Sequence, residues 1–81
     1  MTPQSQASVA DSVRASLHAY LCDLDGSMPS DVHAMVLDAV EKPMLEVIMA
    51  HVDNNQSKAS QCLGINRNTL RKKLLHHGLL R

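Results

Sequence analysis

The 81-residue sequence contains no phenylalanine, no tryptophan and a single tyrosine, Tyr20. Its apolar residues are mainly Leu, Val, Ala and Met, which suit helices but give a short chain little bulk to bury. A chain of this length forms at most one domain, and such a domain buries only about 60% of its unfolded surface. The sequence therefore predicts one helical domain that gains stability from a partner subunit.

Several other features are missing. No run approaches the ~18 consecutive apolar residues of a membrane span. The first residues, Met1 to Gln4, have neither the basic region nor the apolar core of a signal peptide. Cys22 and Cys62 match no metal-ligand spacing and are expected to be reduced thiols rather than a disulfide. These absences predict a cytoplasmic protein without contact to a membrane.

Patterns that carry catalysis or bind metal are also lacking. No Ser-His-Asp set, Cys-His set or glycine-rich phosphate loop occurs. Of the five histidines, His76 and His77 are adjacent and should point away from each other on a helix, while His33 and His51 lie five turns apart. The sequence therefore predicts no enzyme, no cofactor and no metal site.

The charge is zero overall but is divided between the two parts of the chain. Residues 1–50 contain seven acids against Arg14 and Lys42, whereas residues 51–81 contain six bases against Asp53. Such asymmetry favours a basic surface that meets a polyanion. The alternative is an ordinary basic helix whose charges are only solvated.

The apolar spacing predicts two helices before the basic part. Residues 1–8 are small and polar and are expected to be disordered. Apolar residues then recur every three or four positions, which predicts an amphipathic helix ending at Gly26. The residues of this stripe are Val9, Val13, Leu17, Tyr20, Leu21 and Leu24. A second helix is predicted from Val32 to Val52, with Ser30 as its N-cap.

The second helix has an unusually wide apolar arc, since 14 of its 21 residues are apolar. The simplest interpretation is a helix that packs on its own subunit and on a second copy, with residues 9–53 as the dimerisation core. Pro43 is expected to kink this helix, and a break into two helices is the alternative. The predicted dimer-core residues are Val36, Val40, Met44, Val47 and Ile48. The charged residues Asp31, Asp38, Glu41, Lys42 and Glu46 are predicted to share the remaining, solvated stripe.

Residues 54–81 have the pattern of a helix-turn-helix. A short helix from Gln56 to Leu63 should end at Gly64, and a basic helix from Arg67 to His76 should follow. Small and apolar residues fall where two packed helices need them, at Ala59, Ser60, Leu63, Ile65, Leu70 and Leu74. The basic helix is predicted to enter the major groove of DNA.

Each side chain of the basic helix has a predicted role. Arg67, at its start, can donate two hydrogen bonds to a guanine, while Lys72 and Lys73 are expected to meet phosphate. The predicted DNA-binding residues are Asn55, Asn66, Arg67, Thr69, Arg71, Lys72 and Lys73. Double-stranded DNA and a second copy of the chain are thus the expected partners.

These segments resemble the Fis family, named after the factor for inversion stimulation. The resemblance covers residues 9–79 and rests on Asp11-Ser12-Val13, Glu41-Lys42-Pro43, Asn55-Gln56, Gly64-Ile65-Asn66-Arg67 and Thr69-Leu70-Arg71-Lys72-Lys73-Leu74. It implies an all-α homodimer of four-helix subunits, in which the first two helices form an intertwined core. It also implies a nucleoid-associated transcriptional regulator that bends DNA at degenerate AT-rich sites. Of the residues above, the resemblance places Asn55, Asn66, Arg67, Thr69, Arg71 and Lys72 at DNA contacts.

The sequence also departs from the family pattern. The family often has Gly at Asn68 and basic residues at Leu75 and His76, so phosphate contacts are expected to be weaker or to depend on pH. In its best-known members a β-hairpin before the first helix touches a DNA recombinase. Few residues precede Val9 and they carry no hairpin turn signal, so recombinase contact is not expected. Two alternatives are the C-terminal domain of a nitrogen-regulator-type activator and a dimerisation or adaptor module without a DNA role.

Overall fold

The computed structural model describes residues 3–80, with side chains from residue 8 onward. Within this range the chain forms four helices and no strand. The helices are α1 (Pro3–Asp23), α2 (Val32–His51), α3 (Gln56–Leu63) and α4 (Arg67–His76). The predicted all-α fold with a C-terminal helix-turn-helix is confirmed for this part of the chain. No helix among these residues combines the length and the hydropathy needed to span a bilayer. The backbone divides into two compact units, Met1–Val32 and His33–Arg81.

Helix α1 begins at Pro3, earlier than predicted. Of the segment 1–8 that is expected to be disordered, residues 3–8 are part of α1 in the structure, and Met1 and Thr2 lie outside the described residues. Proline suits the first turn of a helix because an N–H at that position would have no intrahelical acceptor. Residues 3–8 accordingly extend α1 and do not form a hairpin arm.

The connection between α1 and α2 contains residues with positive φ. Gly26, the predicted left-handed end, has φ 88°, and the N–H of Ser27 donates to the carbonyl of Leu24 at 3.0 Å. Asp31, with φ 54°, directly precedes α2. The predicted N-cap, Ser30, therefore lies one residue before the capping position.

Helix α2 runs without interruption through Pro43, from Val32 to His51. The prediction of one helix is confirmed over the alternative of two. A proline inside a helix removes one hydrogen bond, a cost that apolar packing on both sides of the position has to offset. The packing residues after Pro43 are the fully buried Leu45 and the nearly buried Met49.

The core of the His33–Arg81 unit joins the C-terminal half of α2 to α3 and α4. Its buried residues are Leu45, Met49, Ala59, Leu70 and Leu74. Partly buried residues that pack on them are Ile48, Val52, Leu63, Ile65, Leu79 and Leu80. All the apolar anchors predicted for the helix-turn-helix lie in this cluster. Ile48, which is predicted for the dimer core, is partly buried against the core of its own subunit, because its spacing from Leu45 places it beside that residue.

A second apolar stripe of α2 remains exposed in the single chain. Leu37, Val40, Met44 and Val47 are 55%, 38%, 44% and 67% exposed. Their spacing of three and four residues puts them on one side of α2, next to one another. The wide arc seen in the sequence is thus two stripes, of which one enters the core of this unit and the other is uncovered.

Candidate nucleic-acid interface

Helix α3 is held at both ends by groups that the sequence supplies locally. Asn55 is its N-cap, and the side-chain Oδ1 accepts a hydrogen bond from the N–H of Lys58 at 3.1 Å. Gly64 ends the helix with φ 75°, and its N–H donates to the carbonyl of Ser60 at 2.9 Å. A left-handed residue at this position is strained for any side chain with a Cβ, so glycine makes the tight turn possible.

Helix α4 begins at a similar cap. Asn66 has an extended backbone, and its Oδ1 accepts a hydrogen bond from the N–H of Asn68 at 2.7 Å. Both cap residues, Asn55 and Asn66, were predicted as phosphate contacts. The amide oxygen of each residue accepts a hydrogen bond within the protein. A phosphate oxygen needs a donor, and the NH₂ group of each amide can supply it.

The two helices of the motif meet through small and apolar side chains. Ala59 of α3 and Leu70 of α4 are 0% exposed, and Leu74 is 1% exposed. Alanine at the crossing lets the helices approach closely, and the two leucines fix which side of α4 faces inward. The remaining sides of α4 are thereby fixed as well.

The outward side of α4 is basic. Arg67, Thr69, Arg71 and Lys72 are all exposed. Among residues 8–80, no carboxylate lies within ion-pairing distance of Arg67, Arg71 or Lys72. Arg67 and Arg71 are one helical turn apart and therefore share a face. We call Arg67, Arg71 and Lys72 the basic face of α4, and it has the character expected of a surface that meets an anion.

Lys73 does not belong to the basic face, although the sequence spacing grouped it with Lys72. Its Nζ lies 2.7 Å from Oε2 of Glu41 on α2, and the two side chains are only 36% and 21% exposed. One residue along a helix is a rotation of about 100°, which turns Lys73 toward α2. In the single chain the Lys73 ammonium is thus held in an ion pair within the subunit.

His76 and His77 also converge on α2. His76 Nε2 lies 2.6 Å from Oδ1 of Asp38, and His77 Nε2 lies 2.9 Å from Oε1 of Glu41 and 3.9 Å from Oδ1 of Asp38. The expectation that adjacent histidines point apart is wrong here because the helix ends between them. His77 has φ −90° and ψ 3°, and the two ring centroids are 4.7 Å apart.

Together these residues form a polar cluster that links α2 to the end of α4. We call it the interhelical cluster, and its members are Asp38, Glu41, Lys73, His76 and His77. The prediction of a solvated stripe on α2 is therefore wrong for Glu41, whose side chain is 21% exposed, while Asp38 is exposed and contacts His76 at the same time. A signal was available, since Asp38, Glu41 and the core residue Leu45 follow the spacing of one helix side.

The cations of the interhelical cluster favour the ionised carboxylates. A hydrogen bond with His76, assisted by the charge of both histidines, holds the pKa of Asp38 below its usual value. Hydrogen bonds from Lys73 and then from His77 lower the pKa of Glu41 in the same way. Both shifts contribute stability above the unfolded pKa values of these groups, and it is lost as the pH falls through the folded values.

Comparison with known proteins places residues 36–76 in a described family. This segment matches the family model for bacterial regulatory proteins of the Fis family. The matched range begins within α2 and ends at the last residue of α4. It therefore contains the exposed stripe from Leu37 onward, the helix-turn-helix and most of the interhelical cluster.

Similar proteins occur in several bacteria. A protein of Ralstonia nicotianae named as a Fis-like DNA-binding protein is 60% identical over 68 residues, which cover 84% of this chain and 88% of that protein. A Neisseria meningitidis serogroup A protein with the same name is 50% identical over 96% of this chain and 99% of its own length. The DNA-binding protein Fis of Aliivibrio fischeri strain MJ11 is 48% identical over 93% of this chain and 76% of that protein.

Proposed function

Because the chain belongs to the Fis family of bacterial regulatory proteins, we propose that it binds double-stranded DNA as a homodimer. The observation that carries this proposal is the basic face of α4, which lacks a carboxylate partner among residues 8–80. Its place on a helix-turn-helix suits it to the major groove. The family is one of regulators, so the function is recognition and not catalysis.

Each part of the motif has a separate role in this proposal. Arg67 lies in the first turn of α4, where a recognition helix reaches base edges, and its guanidinium suits the two acceptors of a guanine. The exposed side of α4 continues with Thr69, Arg71 and Lys72, which contact the phosphate backbone of the DNA. The NH₂ groups of Asn55 and Asn66 meet phosphates near the two helix starts, where the helix dipoles also attract anions.

The proposed homodimer is supported by the exposed stripe of α2. Leu37, Val40, Met44 and Val47 form an apolar seam that a second copy of α2 would cover. Half-exposed Val40 and Met44 lie near the middle of the helix, as residues at a crossing would. A dimer would present two copies of α4 to one DNA duplex, so that each reads one half-site.

We further propose a nucleoid-associated role in which the dimer bends its sites and regulates transcription. Bending favours sequences that deform easily, so degenerate AT-rich sites are the expected targets. The direct experiment is a mobility shift on AT-rich duplexes, with a bending assay on permuted fragments. Wild-type protein should retard the duplex, and a variant with Arg67, Arg71 and Lys72 all changed to Ala should not.

The matched control changes Arg14 and Lys42 to Ala, which removes positive charge outside the helix-turn-helix. This variant should retard DNA as the wild type does. If the wild type binds no duplex, or if the control loses binding as fully as the α4 variant, the proposal fails. The chain would then be a dimerisation or adaptor module, or its DNA surface would lie elsewhere.

A salt titration separates Lys72 from its neighbour Lys73. Lys72→Ala should reduce the slope of log affinity against log salt by about two for a symmetric dimer, one for each lost phosphate contact. Lys73→Ala should leave the slope unchanged, because this ammonium is paired with Glu41. Fluorescence anisotropy of labelled duplex at several salt concentrations measures both. A reduced slope for Lys73→Ala alone would mean that its ion pair opens on DNA.

A further inference from the structure

The interhelical cluster contains more than ion pairs: it gathers the two imidazoles of His76 and His77 around the carboxylate of Asp38, with Glu41 beside His77. We propose that Asp38, His76 and His77, with Glu41 as fourth ligand, form a binding site for a divalent transition metal, Zn²⁺ in particular. The possible ligand atoms of Asp38, His76 and His77 all lie within 4.8 Å of one another. The site would join α2 to the end of the recognition helix α4, and none of its residues belongs to the DNA contacts proposed above.

The distances lie close to those that zinc needs. Zinc binds nitrogen and oxygen ligands at about 2.0–2.2 Å in a tetrahedron, so neighbouring ligand atoms are roughly 3.4 Å apart. Here His76 Nε2 and Asp38 Oδ1 are 2.6 Å apart, and His77 Nε2 and Asp38 Oδ1 are 3.9 Å apart. Shifts of about 1 Å, within reach of side-chain rotation alone, would bring the three atoms to this spacing.

Burial divides the ligands into one that is fixed and two that can adjust. The side chain of His77 is only 4% exposed, and its Nε2 faces the cluster. Asp38 and His76 are 56% and 64% exposed, which leaves them room to rotate and leaves the ion a path from solvent. A preformed nitrogen ligand with two adjustable partners is a suitable arrangement for capturing an ion.

Glu41 completes the set without breaking its pair with Lys73. The carboxylate contacts Lys73 through Oε2 and His77 through Oε1. On binding, zinc would take the place of the proton shared between His77 Nε2 and Glu41 Oε1. Each imidazole then keeps a single proton, on Nδ1, and any second proton is released to solvent. Oε1 of Glu41 becomes free to bind the metal while Oε2 keeps its contact with Lys73.

The donor set selects among metals. Imidazole nitrogen favours Zn²⁺ and its neighbours in the transition series, whereas Mg²⁺ and Ca²⁺ prefer oxygen ligands throughout. Two neutral imidazoles and two carboxylates balance a charge of +2, and Lys73 leaves the occupied cluster with one positive charge. A bound ion would therefore hold the end of α4 against α2 and add charge beside the basic face.

Calorimetric titration of the metal-free full chain with zinc chloride tests the site. We expect one Zn²⁺ per chain and no uptake of Mg²⁺ under the same conditions. Asp38→Asn and His76→Gln should each weaken zinc binding at least ~10-fold, since even changes to residues behind the ligands commonly cost that much. Both positions are exposed, so these variants should stay folded, which circular dichroism checks. At the same zinc concentration, zinc should raise the unfolding temperature of the wild type more than that of either variant.

Two controls exclude other donors. His51→Gln removes an exposed histidine thirteen residues along α2 from Asp38, roughly 20 Å away, and should bind zinc as the wild type does. A variant with Cys22 and Cys62 both changed to Ser removes the exposed thiols and should also bind normally. Cobalt, used in place of zinc, should give the visible absorption of a tetrahedral nitrogen-containing site that His76→Gln loses. The proposal is overturned if the wild type binds no zinc, or if Asp38→Asn and His76→Gln bind it as tightly as the wild type.

Discussion

Val40→Asp is expected to dissociate the proposed dimer and to leave a folded helix-turn-helix unit. Val40 lies in the middle of the exposed seam of α2 and is not part of the buried core around Leu45. A carboxylate at a dimer interface loses its hydration and finds no partner, and the two-fold symmetry places two such charges close together. The cost should be about 3 kcal/mol or more, which raises the dimer dissociation constant at least roughly 100-fold. Sedimentation equilibrium over a range of concentrations measures this change.

Two further variants show whether the seam is responsible. Ala39→Asp adds the same charge one residue earlier. Ala39 lies on the exposed side of α2 that also carries Lys42 and Glu46, so this variant should leave the dimer intact. Ile48→Asp places the charge against the subunit's own core and should lower the free energy of unfolding itself. A wild-type chain that sediments as a stable monomer near 8.9 kDa would contradict the dimer outright.

Arg67→Ala is expected to remove base selectivity at one symmetric position of the DNA site. Arg67 is exposed in the first turn of α4 and has no carboxylate partner among residues 8–80. Loss of a bidentate contact to guanine costs about 1–3 kcal/mol per half-site. The affinity should therefore fall for sites that have the preferred base and stay nearly unchanged for sites that lack it. Competition binding on a panel of duplexes, varied one position at a time, gives the preference directly.

Arg67→Lys is the matched control, because lysine keeps the charge and loses the planar pair of donors. It should keep the salt dependence of the wild type and still lose most of the base preference. If Arg67→Ala weakens all sequences equally, the arginine only positions the protein. Sequence selection would then depend on DNA shape and flexibility alone.

The apolar residues of α2 form two stripes, one in the core of the subunit and one exposed, and the composition did not reveal this division. The sequence shows an apolar arc too wide for one neighbour, and this feature alone predicts a second contact. It does not show which residues serve which contact, because a difference of one position moves a side chain by about 100°. Ile48 illustrates this point, since the sequence groups it with the dimer-core residues and the structure packs it against the core of its own subunit.

The sequence by itself determined the helices and the helix-turn-helix. Local chemistry is sufficient for these features, since Asn55 and Asn66 cap their own helices, Gly64 supplies the left-handed turn and the leucine spacing fixes the inner side of α4. The leucine spacing also predicts that Lys72 points outward, since it lies two residues from both Leu70 and Leu74. It does not predict the exposure of Arg67, which lies three residues before Leu70 and seven before Leu74 and is exposed in the structure.

Only the tertiary structure decided how α2 meets the end of α4. The interhelical cluster joins residues more than thirty positions apart, and no local pattern pairs Glu41 with Lys73 or Asp38 with His76. The pairing depends on the distance and rotation between two packed helices, which Leu45 and Leu74 set through the core. It also depends on where α4 stops, because the backbone change at His77 turns two adjacent imidazoles toward the same carboxylates. Spacing rules assume a continuing helix, so they fail at this position for a physical reason.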